Sequence, residues 1–442
     1  MLLPYTQGYS LTGSFSRYAA SFFATFLHGG GWLTDISPLP QIVAALIMAL
    51  AAITTLYVVS DSTQFRLMDI VCLIPFGLSP YFLECLSYKY DAPYMALSVL
   101  AAVFPLLLRQ QSPRKYILFT AFSTVLVCTT YQVSAGVFPL CVAFLCFLRW
   151  NRGEKVKEIL PFLFQSVVGY AAGLLFFRVV MMTPIAEGDY VSAAIDLRSL
   201  PANIYQFAAH IVGDFNPIWL IATCLIILGY FAAALETTKR KKLPAVLMSI
   251  FAICVMFVMS YGLYSVFRHP LFMPRALYGF GILLSLLGWY VVSHSKVLLP
   301  RVAVCLLAWF MFAFSFTYGN ALHSQQEYAN FRIEQVLTDL SRLEVVKDKN
   351  QKIFAVSGSI GHAESVENMI HAYPVIDNLV PILLRDTVEY WGAFQLQHYY
   401  GIDHLIRDKE EIVKKQTDLI PLVDSFYHTI SSNGEYIFIQ LK

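Results

Sequence analysis

A short polar segment between two apolar runs holds residues that could act on a sugar. Residues 84–94 read ECLSYKYDAPY and contain two acids, Glu84 and Asp91, together with Lys89. A carboxylate can take the proton from an attacking hydroxyl group, and an ammonium group can bind phosphate. We predict Glu84 and Asp91 as catalytic candidates. The aromatic residues predicted to hold a sugar ring here are Tyr88, Tyr90 and Tyr94.

Simpler interpretations exist for parts of this segment. Asp91 precedes Ala92 and Pro93, so it could cap a helix that starts there. An aromatic belt at a membrane interface would account for some of the tyrosines. Neither interpretation explains the acids, the lysine and the tyrosines together.

A second segment, residues 29–41, reads GGGWLTDISPLPQ. Asp35 is the only acid in the first 60 positions, and it lies just before an apolar run that begins with prolines. We predict Asp35 as a further catalytic candidate and Trp32 as a further sugar-binding ring. The alternative for Asp35 is a structural role as a helix N-cap or in an Asx turn.

A third segment, residues 264–275, reads YSVFRHPLFMPR and contains Arg268, His269 and Arg275. Arginine binds phosphate with two parallel hydrogen bonds. Arg178, near the end of another apolar run, could act with them or could simply extend to the membrane interface. Interfacial pairing with lipid headgroups is the alternative for the two arginines of the segment.

The composition indicates which elements must position these segments. Hydrophobic residues make up 57% of the 442 residues and charged residues only 14%, with a mean hydropathy of +0.59. A soluble domain is about a quarter charged, so the chain is predicted to be an α-helical polytopic membrane protein. Ten membrane spans are predicted: 42–59, 69–83, 92–108, 116–131, 133–148, 159–182, 217–235, 244–264, 274–293 and 300–318.

Charge predicts the orientation and the domains. Fourteen Lys and Arg residues fall in or beside one set of loops (60–68, 109–115, 149–158, 236–243, 294–299), against five in the opposite set, so the first set is predicted to be cytoplasmic. Residues 1–41 are then an outward N-terminal segment and 42–320 a helical bundle. Residues 321–442 are predicted as a small outward α/β domain. An amphipathic helix is predicted over 196–212, within an outward loop at 183–216.

Several classes of function are not indicated. The sequence contains no GxGxxG, Walker A, HExxH or GxSxG motif, and its eight cysteines show no metal-ligand spacing. We predict no metal site, no cofactor and no nucleic-acid partner. Outward carboxylates beside cations favour chemistry on a lipid phosphate, and the predicted lipid-phosphate ligands are Lys89, Arg268, His269, Arg275 and Arg178.

Two of these segments resemble a known family. Residues 34–41 (TDISPLPQ), and residues 88–93 (YKYDAP) running into 95–98 (MALS), resemble the bacterial and phage O-antigen glucosyltransferases of the glucosyl transferase II type. Pro274-Arg275 at the start of a late span and the placement of the tail are similar too. The architecture is similar to the GT-C class of membrane glycosyltransferases.

The resemblance implies a function. Such enzymes move glucose from undecaprenyl-phosphate glucose to a repeat unit of the O-antigen of lipopolysaccharide on the periplasmic face, which converts the serotype. The lipid-phosphate sugar is then a substrate rather than a cofactor, and the protein is expected in the bacterial inner membrane. Expected partners are the donor lipid, the O-antigen polysaccharide, membrane lipids, a small flippase and the glycosyltransferase that makes the donor.

The sequence departs from this family at its start. Members usually begin with a cytoplasmic N-terminus, a first span and then an acidic pair, whereas residues 13–17 already match the middle of that first loop. We therefore expect the span and the acidic pair to lie before Met1, which leaves the identity of the general base open. Two other functions stay open: a flippase or transporter of lipid-linked saccharide, and a non-catalytic or decayed membrane protein.

Overall fold

The computed structural model describes residue 8 and residues 15–182, 192–343, 353–386, 396–397, 400–402, 404–406, 408–416 and 418–442. The predicted loop at 183–216 lies partly outside them, with Glu187 and Asp189. The chain divides into two compact units, and the division falls between Ser315 and Phe316.

The first unit is almost entirely helical. In chain order its regular elements are α1 (Tyr18–Leu27), α2 (Leu39–Ser60), α3 (Leu67–Val71), α4 (Ile74–Leu78), α5 (Pro80–Ser87), α6 (Ala92–Val103), α7 (Pro113–Thr130), α8 (Val137–Asn151), α9 (Val156–Phe176), β1 (Ser192–Ile195), α10 (Leu200–Asp214), α11 (Pro217–Thr237), α12 (Lys242–Tyr261), β2 (Phe267–His269), α13 (Gly279–His294) and the start of α14 (Leu298–Arg342). The helix predicted over 196–212 is confirmed as α10.

Local sequence explains where several of these helices begin. Proline occupies the first turn of α2, α5, α6, α7 and α11, where its missing N–H costs nothing. Ser79 caps α5 by accepting from Phe82 N, and Asn216 caps α11 by accepting from Trp219 N at 3.0 Å. The prolines and short polar segments therefore break the apolar sequence into separate helices.

Helix α13 forms the centre of the first unit. Residues 279–292 are all buried, and a helix that is apolar on every side belongs in a protein interior. Gly281 lets this helix approach α4 and α5, because an added Cβ would lie 2.6 Å from the Pro75 carbonyl oxygen. This close packing places the end of α5 beside the residues that precede α13.

The described helices that are long and apolar enough to cross a membrane do not confirm the ten predicted spans. Among the described residues, six helical segments are long and apolar enough to cross a membrane: Leu39–Ser60, Gln132–Asn151, Val156–Met181, Pro217–Thr237, Lys242–Val266 and Leu298–Arg342. A seventh exists if the pair Leu67–Leu78 and Pro80–Ser87, bent by 59°, is counted as one span. All ten predicted segments overlap helices. Ten full spans are not confirmed, since some of these helices are short or broken by prolines such as Pro80 and Pro105.

The helices of the first unit connect two opposite ends. Helix α2 extends from Leu39 to Ser60, and α8 extends from Val137 to Asn151. We call the end that contains residues 35–37, 84–91, 131–136 and 262–275 the site end. The other, which contains residues 61–69, 109, 149–158, 236–241 and 293–296, is called the basic end.

The second unit contains the rest of α14 and a four-stranded sheet. Its other elements are β3 (Ile353–Ser357), α15 (Glu364–Ala372), α16 (Val375–Leu379), α17 (Lys409–Lys415), β4 (Ile420–Asp424), β5 (His428–Ser432) and β6 (Tyr436–Leu441). The strand order is β3-β6-β5-β4, with β3 parallel to β6 and the other pairs antiparallel. The predicted α/β character of the tail and its strands at 352–356 and 436–441 are confirmed. One core packs α14 against the sheet through buried residues that include Ile333, Val336, Ile430 and Ile439.

Candidate functional site

The buried acid Glu84 joins two loops at the site end. It lies in the last turn of α5, and its Oε1 is 2.7 Å from Nη1 of Arg275. The backbone N–H of Arg275 donates to Glu84 Oε2 at 2.5 Å, and the Tyr88 hydroxyl donates to Oε1 at 3.2 Å. Both oxygens of Glu84 are therefore committed to holding its neighbours.

Further contacts fix Arg275 in place. Its guanidinium lies over the Tyr88 ring, 5.9 Å from the ring centre. Its carbonyl oxygen accepts a hydrogen bond from the Tyr131 hydroxyl at 3.3 Å. Burial, followed by the nearby charge of Glu84, raises the pKa of Tyr88 well above its usual value of 10, so this phenol stays a hydrogen-bond donor. Arg275 is thus held by both its backbone and its side chain.

Asp91 differs from the other described acids of the first unit. It precedes α6, yet its side chain makes no capping hydrogen bond to that helix. The residues that the structure describes donate no hydrogen bond to its carboxylate. Burial raises the pKa of Asp91 above its usual 3.8, while the positive charges of Arg17 and Arg275 act in the opposite direction. A carboxylate in this state can accept a proton from a bound molecule.

Arg17 is the second cation near Asp91. Its guanidinium carbon lies 4.8 Å from the centre of the Tyr131 ring. Its Nε is buried and has no hydrogen-bond partner among the described residues. The adjacent Phe15 carbonyl accepts a hydrogen bond from Gln132 Nε2 at 2.8 Å, which attaches the chain before α1 to the start of α8.

The loop that carries Arg275 is also held from its other side. Asn203 of α10 donates through Nδ2 to the carbonyl oxygens of Ser265 at 3.1 Å and Phe267 at 2.9 Å. Gly136 and Gly262 are in close contact, since a Cβ on Gly262 would lie 2.8 Å from Gly136 Cα. These contacts position the segment 262–275 against the start of α8.

Asp35 forms a separate, exposed ion pair with Lys89. Lys89 Nζ lies 2.9 Å from Asp35 Oδ2, and the Ser37 N–H donates to Asp35 Oδ1 at 3.0 Å. Partial burial raises the pKa of Asp35, but the hydrogen bonds from Ser37 and Lys89 outweigh it and lower the pKa to about 2. The Asx-turn alternative for Asp35 is therefore observed, together with a partner from the second segment.

The predicted sugar-binding rings lie in different environments. Tyr90 and Tyr94 are buried and form an edge-on pair at 5.5 Å, and His28 lies 6.2 Å from Tyr90. Trp32 is exposed. Tyr88 is partly buried and contacts both members of the Glu84–Arg275 pair.

The remaining predicted phosphate ligands lie apart from this cluster. Arg268 and His269 are exposed on β2, which pairs with β1. Arg178 is exposed and donates to the Met182 sulfur at 2.9 Å. Within the described residues, no hydrogen bond or ion pair connects these three to Glu84, Asp91 or Arg275. Their role as ligands stays a prediction.

Sequence reasoning did not select Arg17 and Tyr131 as site residues. The signals were present, since Arg17 lies in the predicted outward segment, where the positive-inside rule disfavours a cation, and Tyr131-Gln132 is the most polar break in residues 116–148. Their contact with each other spans more than a hundred residues of chain. Among the described residues, no group of three His, Cys, Asp or Glu side chains could hold a metal ion.

The site end contains the buried pair Glu84–Arg275 and, near it, the carboxylate of Asp91, which has no hydrogen bond from the described residues. Apolar helices surround both. The family model for glucosyl transferase GtrII matches residues 5–317. The chain belongs to the GtrII glucosyl transferase family. The matched range ends close to the division between the two units and includes every site residue named above.

A phage protein is also similar to most of this chain. An uncharacterized 55.3 kDa protein from the gtrB 5′ region of Salmonella phage P22 is 21% identical over 412 residues, which cover 89% of this chain and 84% of the relative. No solved structure matches. The GtrII family member described here is therefore a membrane glucosyl transferase, as its apolar helices and its family both indicate.

Proposed function

We propose that this GtrII family protein transfers glucose from undecaprenyl-phosphate glucose to O-antigen repeat units of lipopolysaccharide, on the periplasmic face of the bacterial inner membrane. Family membership supports the transfer of glucose. The relative from the gtrB region of a Salmonella phage supports a role in serotype conversion. A lipid-linked donor suits a site that lies at one end of a bundle of apolar helices.

The observation that carries this proposal is the state of Asp91. Asp35 and Glu84 are each committed to a cation, whereas the carboxylate of Asp91 has no hydrogen bond from the described residues. In the proposed step, the proton of the acceptor hydroxyl passes to Asp91 and the hydroxyl oxygen bonds to the anomeric carbon of glucose. The bond from that carbon to the phosphate oxygen breaks, and its electron pair stays on the lipid phosphate.

Cations near Asp91 would stabilise the departing phosphate. Negative charge grows on the phosphate oxygen as the bond breaks, and a fixed guanidinium stabilises it without having to reorganise. Arg275 is fixed by Glu84, so we assign Glu84 the role of positioning this arginine rather than that of a base. Arg17 lies beside Tyr131 and interacts electrostatically with Asp91, and we assign it a second contact with the phosphate.

The charge distribution supports the proposed orientation. The loops with fourteen Lys and Arg residues are in contact with one another at the basic end, for example through Arg109 and Asp61, through Lys239 N–H and the Asn151 carbonyl, and through Lys296 N–H and Glu236. Positive loops favour the cytoplasm. The site end, opposite to them, would then face the periplasm.

The direct test is product formation in isolated membranes. Membranes that contain the protein are supplied with undecaprenyl-phosphate glucose and an O-antigen acceptor, and glucosylated polysaccharide is measured by mass spectrometry. Membranes without the protein, and membranes given UDP-glucose as the sole donor, serve as controls. We expect product only with the lipid-linked donor and the protein.

Three results would contradict the proposal. Absence of product from a correctly inserted protein would rule out this transfer for the chain. Equal product from UDP-glucose in washed membranes would show that a nucleotide sugar, rather than a lipid phosphate, is the donor. Movement of undecaprenyl-phosphate glucose across the membrane of protein-containing vesicles, without any glucosylation, would favour the flippase alternative.

A further inference from the structure

The basic end contains a cavity that the proposed transfer does not use. Its volume is about 310 Å³, which is at the lower end of the range for small-molecule sites. Its walls come from the end of α2, the turn after α6, the end of α8 and the first turns of α9. It lies at the opposite end of α2 and α8 from Asp91 and Arg275.

Three arginines line this cavity, and two of them are already paired. Arg109 Nη2 lies 2.8 Å from Asp61 Oδ1, and Arg149 Nε lies 2.7 Å from Glu154 Oε2. Arg152 lines the cavity too, and its exposed side chain has no hydrogen bond or ion pair with the described residues. The lining therefore has one positive charge in excess.

The two paired arginines retain donors that their acids do not use. Each guanidinium has five N–H groups. The Arg109 side chain donates to Asp61 and to the Leu106 carbonyl, and the Arg149 side chain to Glu154 and to the Glu158 carbonyl. The remaining N–H groups, with those of Arg152, form a donor-rich rim suited to an anion with several oxygens.

Apart from Gln110, the rest of the lining is apolar. Leu145, Leu148 and Phe162 line the cavity together with Val58 and Val59. An inorganic anion gains nothing from such a surface. An amphiphile with an anionic head and a hydrocarbon part matches both halves of the lining, and basic pockets between membrane helices are known to take anionic lipid headgroups.

We propose that this cavity binds the phosphate group of an anionic phospholipid, with the phosphate oxygens at Arg152, Arg109 and Arg149 and the start of the acyl region against Phe162 and the leucines. The inference is independent of the proposed transfer, because it concerns the opposite end of the unit. Binding would stabilise the ends of α2, α8 and α9 against one another.

The test measures lipid binding to the purified full chain in a neutral detergent. Phosphatidylglycerol, phosphatidylcholine, undecaprenyl phosphate and inorganic phosphate are each titrated. Bound lipid is counted by native mass spectrometry, and the midpoint of thermal unfolding is recorded. We expect phosphatidylglycerol to bind and to raise the midpoint in a saturable way, and phosphatidylcholine to do so at least tenfold more weakly.

A matched pair of variants identifies the site. Arg152→Gln removes the unpaired cation, and we expect it to weaken phosphatidylglycerol binding about tenfold, the loss of one charge-assisted hydrogen bond. Arg114→Gln is the control, since Arg114 is also exposed, lies near the same end and does not line the cavity. We expect its affinity for phosphatidylglycerol to equal that of the unmodified protein.

Four results would overturn the proposal. These are equal binding of phosphatidylcholine, equal losses in the two variants, a full thermal shift from inorganic phosphate alone, and tighter binding of undecaprenyl phosphate than of phosphatidylglycerol at the Arg152-dependent site. The third would indicate a free anion and the fourth a polyprenyl lipid. Each readout is independent of glucosyl transfer, so a failure here leaves the proposed function untouched.

Discussion

The two ends of the first unit use their acids differently. At the basic end, Asp61, Asp69 and Glu154 each form an ion pair with an arginine, and Glu158 and Glu236 accept backbone N–H groups. At the site end, Glu84 and Asp35 are paired as well, but Asp91 has no hydrogen bond from the described residues.

This difference distinguishes the acids with a structural role from Asp91, which is available to accept a proton. An acid that already accepts hydrogen bonds from an arginine has its charged form stabilised and is a poor proton acceptor. An acid in a partly buried site without such bonds has a raised pKa and an accessible lone pair. The comparison therefore selects Asp91 from three candidate acids, which their residue types alone do not distinguish.

The largest expected effect comes from removing the Asp91 carboxylate. In Asp91→Asn we expect the initial rate of glucosyl transfer to fall by roughly 10²–10⁴, the usual contribution of a general base. The matched variant is Asp69→Asn at the basic end, where the amide oxygen can still accept the Arg66 N–H that Asp69 accepts at 2.9 Å. Similar losses in both variants, at equal amounts of inserted protein, would remove the distinction between the two ends.

The next effect concerns stability and compares two acid–arginine pairs. Glu84→Gln leaves Arg275 without its carboxylate in a site where the two side chains are 9% and 21% exposed, and we expect a loss of about 3 kcal/mol in unfolding free energy. Glu154→Gln breaks a pair that is about one third exposed, and we expect a loss below about 1 kcal/mol. Thermal unfolding in detergent measures both, and equal losses would contradict the difference in burial.

A smaller effect is expected in the pH dependence of transfer. Burial favours the neutral form of Asp91 and raises its pKa above 3.8, and the base must be ionised to act. The rate should therefore fall on the acid side at a higher pH than for an ordinary carboxyl group. Arg17→Gln removes a cation that favours the ionised form of Asp91. We therefore expect this fall in rate, the acid limb of the pH profile, to move to a still higher pH.

Two controls accompany this pH experiment. Arg17→Lys keeps the charge and should leave the acid limb closer to that of the unmodified protein. Asp35, with a pKa of about 2, stays ionised throughout the neutral range, and the stabilisation from its lowered pKa is lost only as the pH falls towards 2. If the acid limb of the pH profile stayed at the same pH in Arg17→Gln, the Arg17 charge would not act on the base.

The smallest effect is expected for the exposed pair at the site end. Lys89 and Asp35 are about 40% exposed, so Lys89→Ala should lower the unfolding free energy by no more than about 1 kcal/mol. The loss should shrink further in high salt, which screens exposed charges. A loss comparable with that of Glu84→Gln in the same assay would show that exposure does not separate these two pairs.

The sequence by itself determined the helical class, the grouping of the charged loops and the segments that hold the candidate acids. Apolar runs, prolines at helix starts and clusters of Lys and Arg are local signals, and each of the ten predicted segments overlaps a helix. The helix at 200–214 and the strands β3 and β6 were readable for the same reason. Local patterns did not predict the bend of 59° between α4 and α5, which depends on packing as well as on Pro80 and leaves six or seven helices long and apolar enough to cross a membrane among the described residues.

Only the tertiary structure decided which acids are paired with a cation and which acid is available to accept a proton. Glu84 meets Arg275 across 191 positions of the chain, and Asp35 meets Lys89 across 54. Arg17 lies over Tyr131 and acts electrostatically on Asp91, and the hydrogen bond from Gln132 to Phe15 holds the chain before α1 near the start of α8. Partners this distant leave no periodic pattern in the sequence, and the physical state of a carboxylate depends on its partners and burial rather than on its residue type.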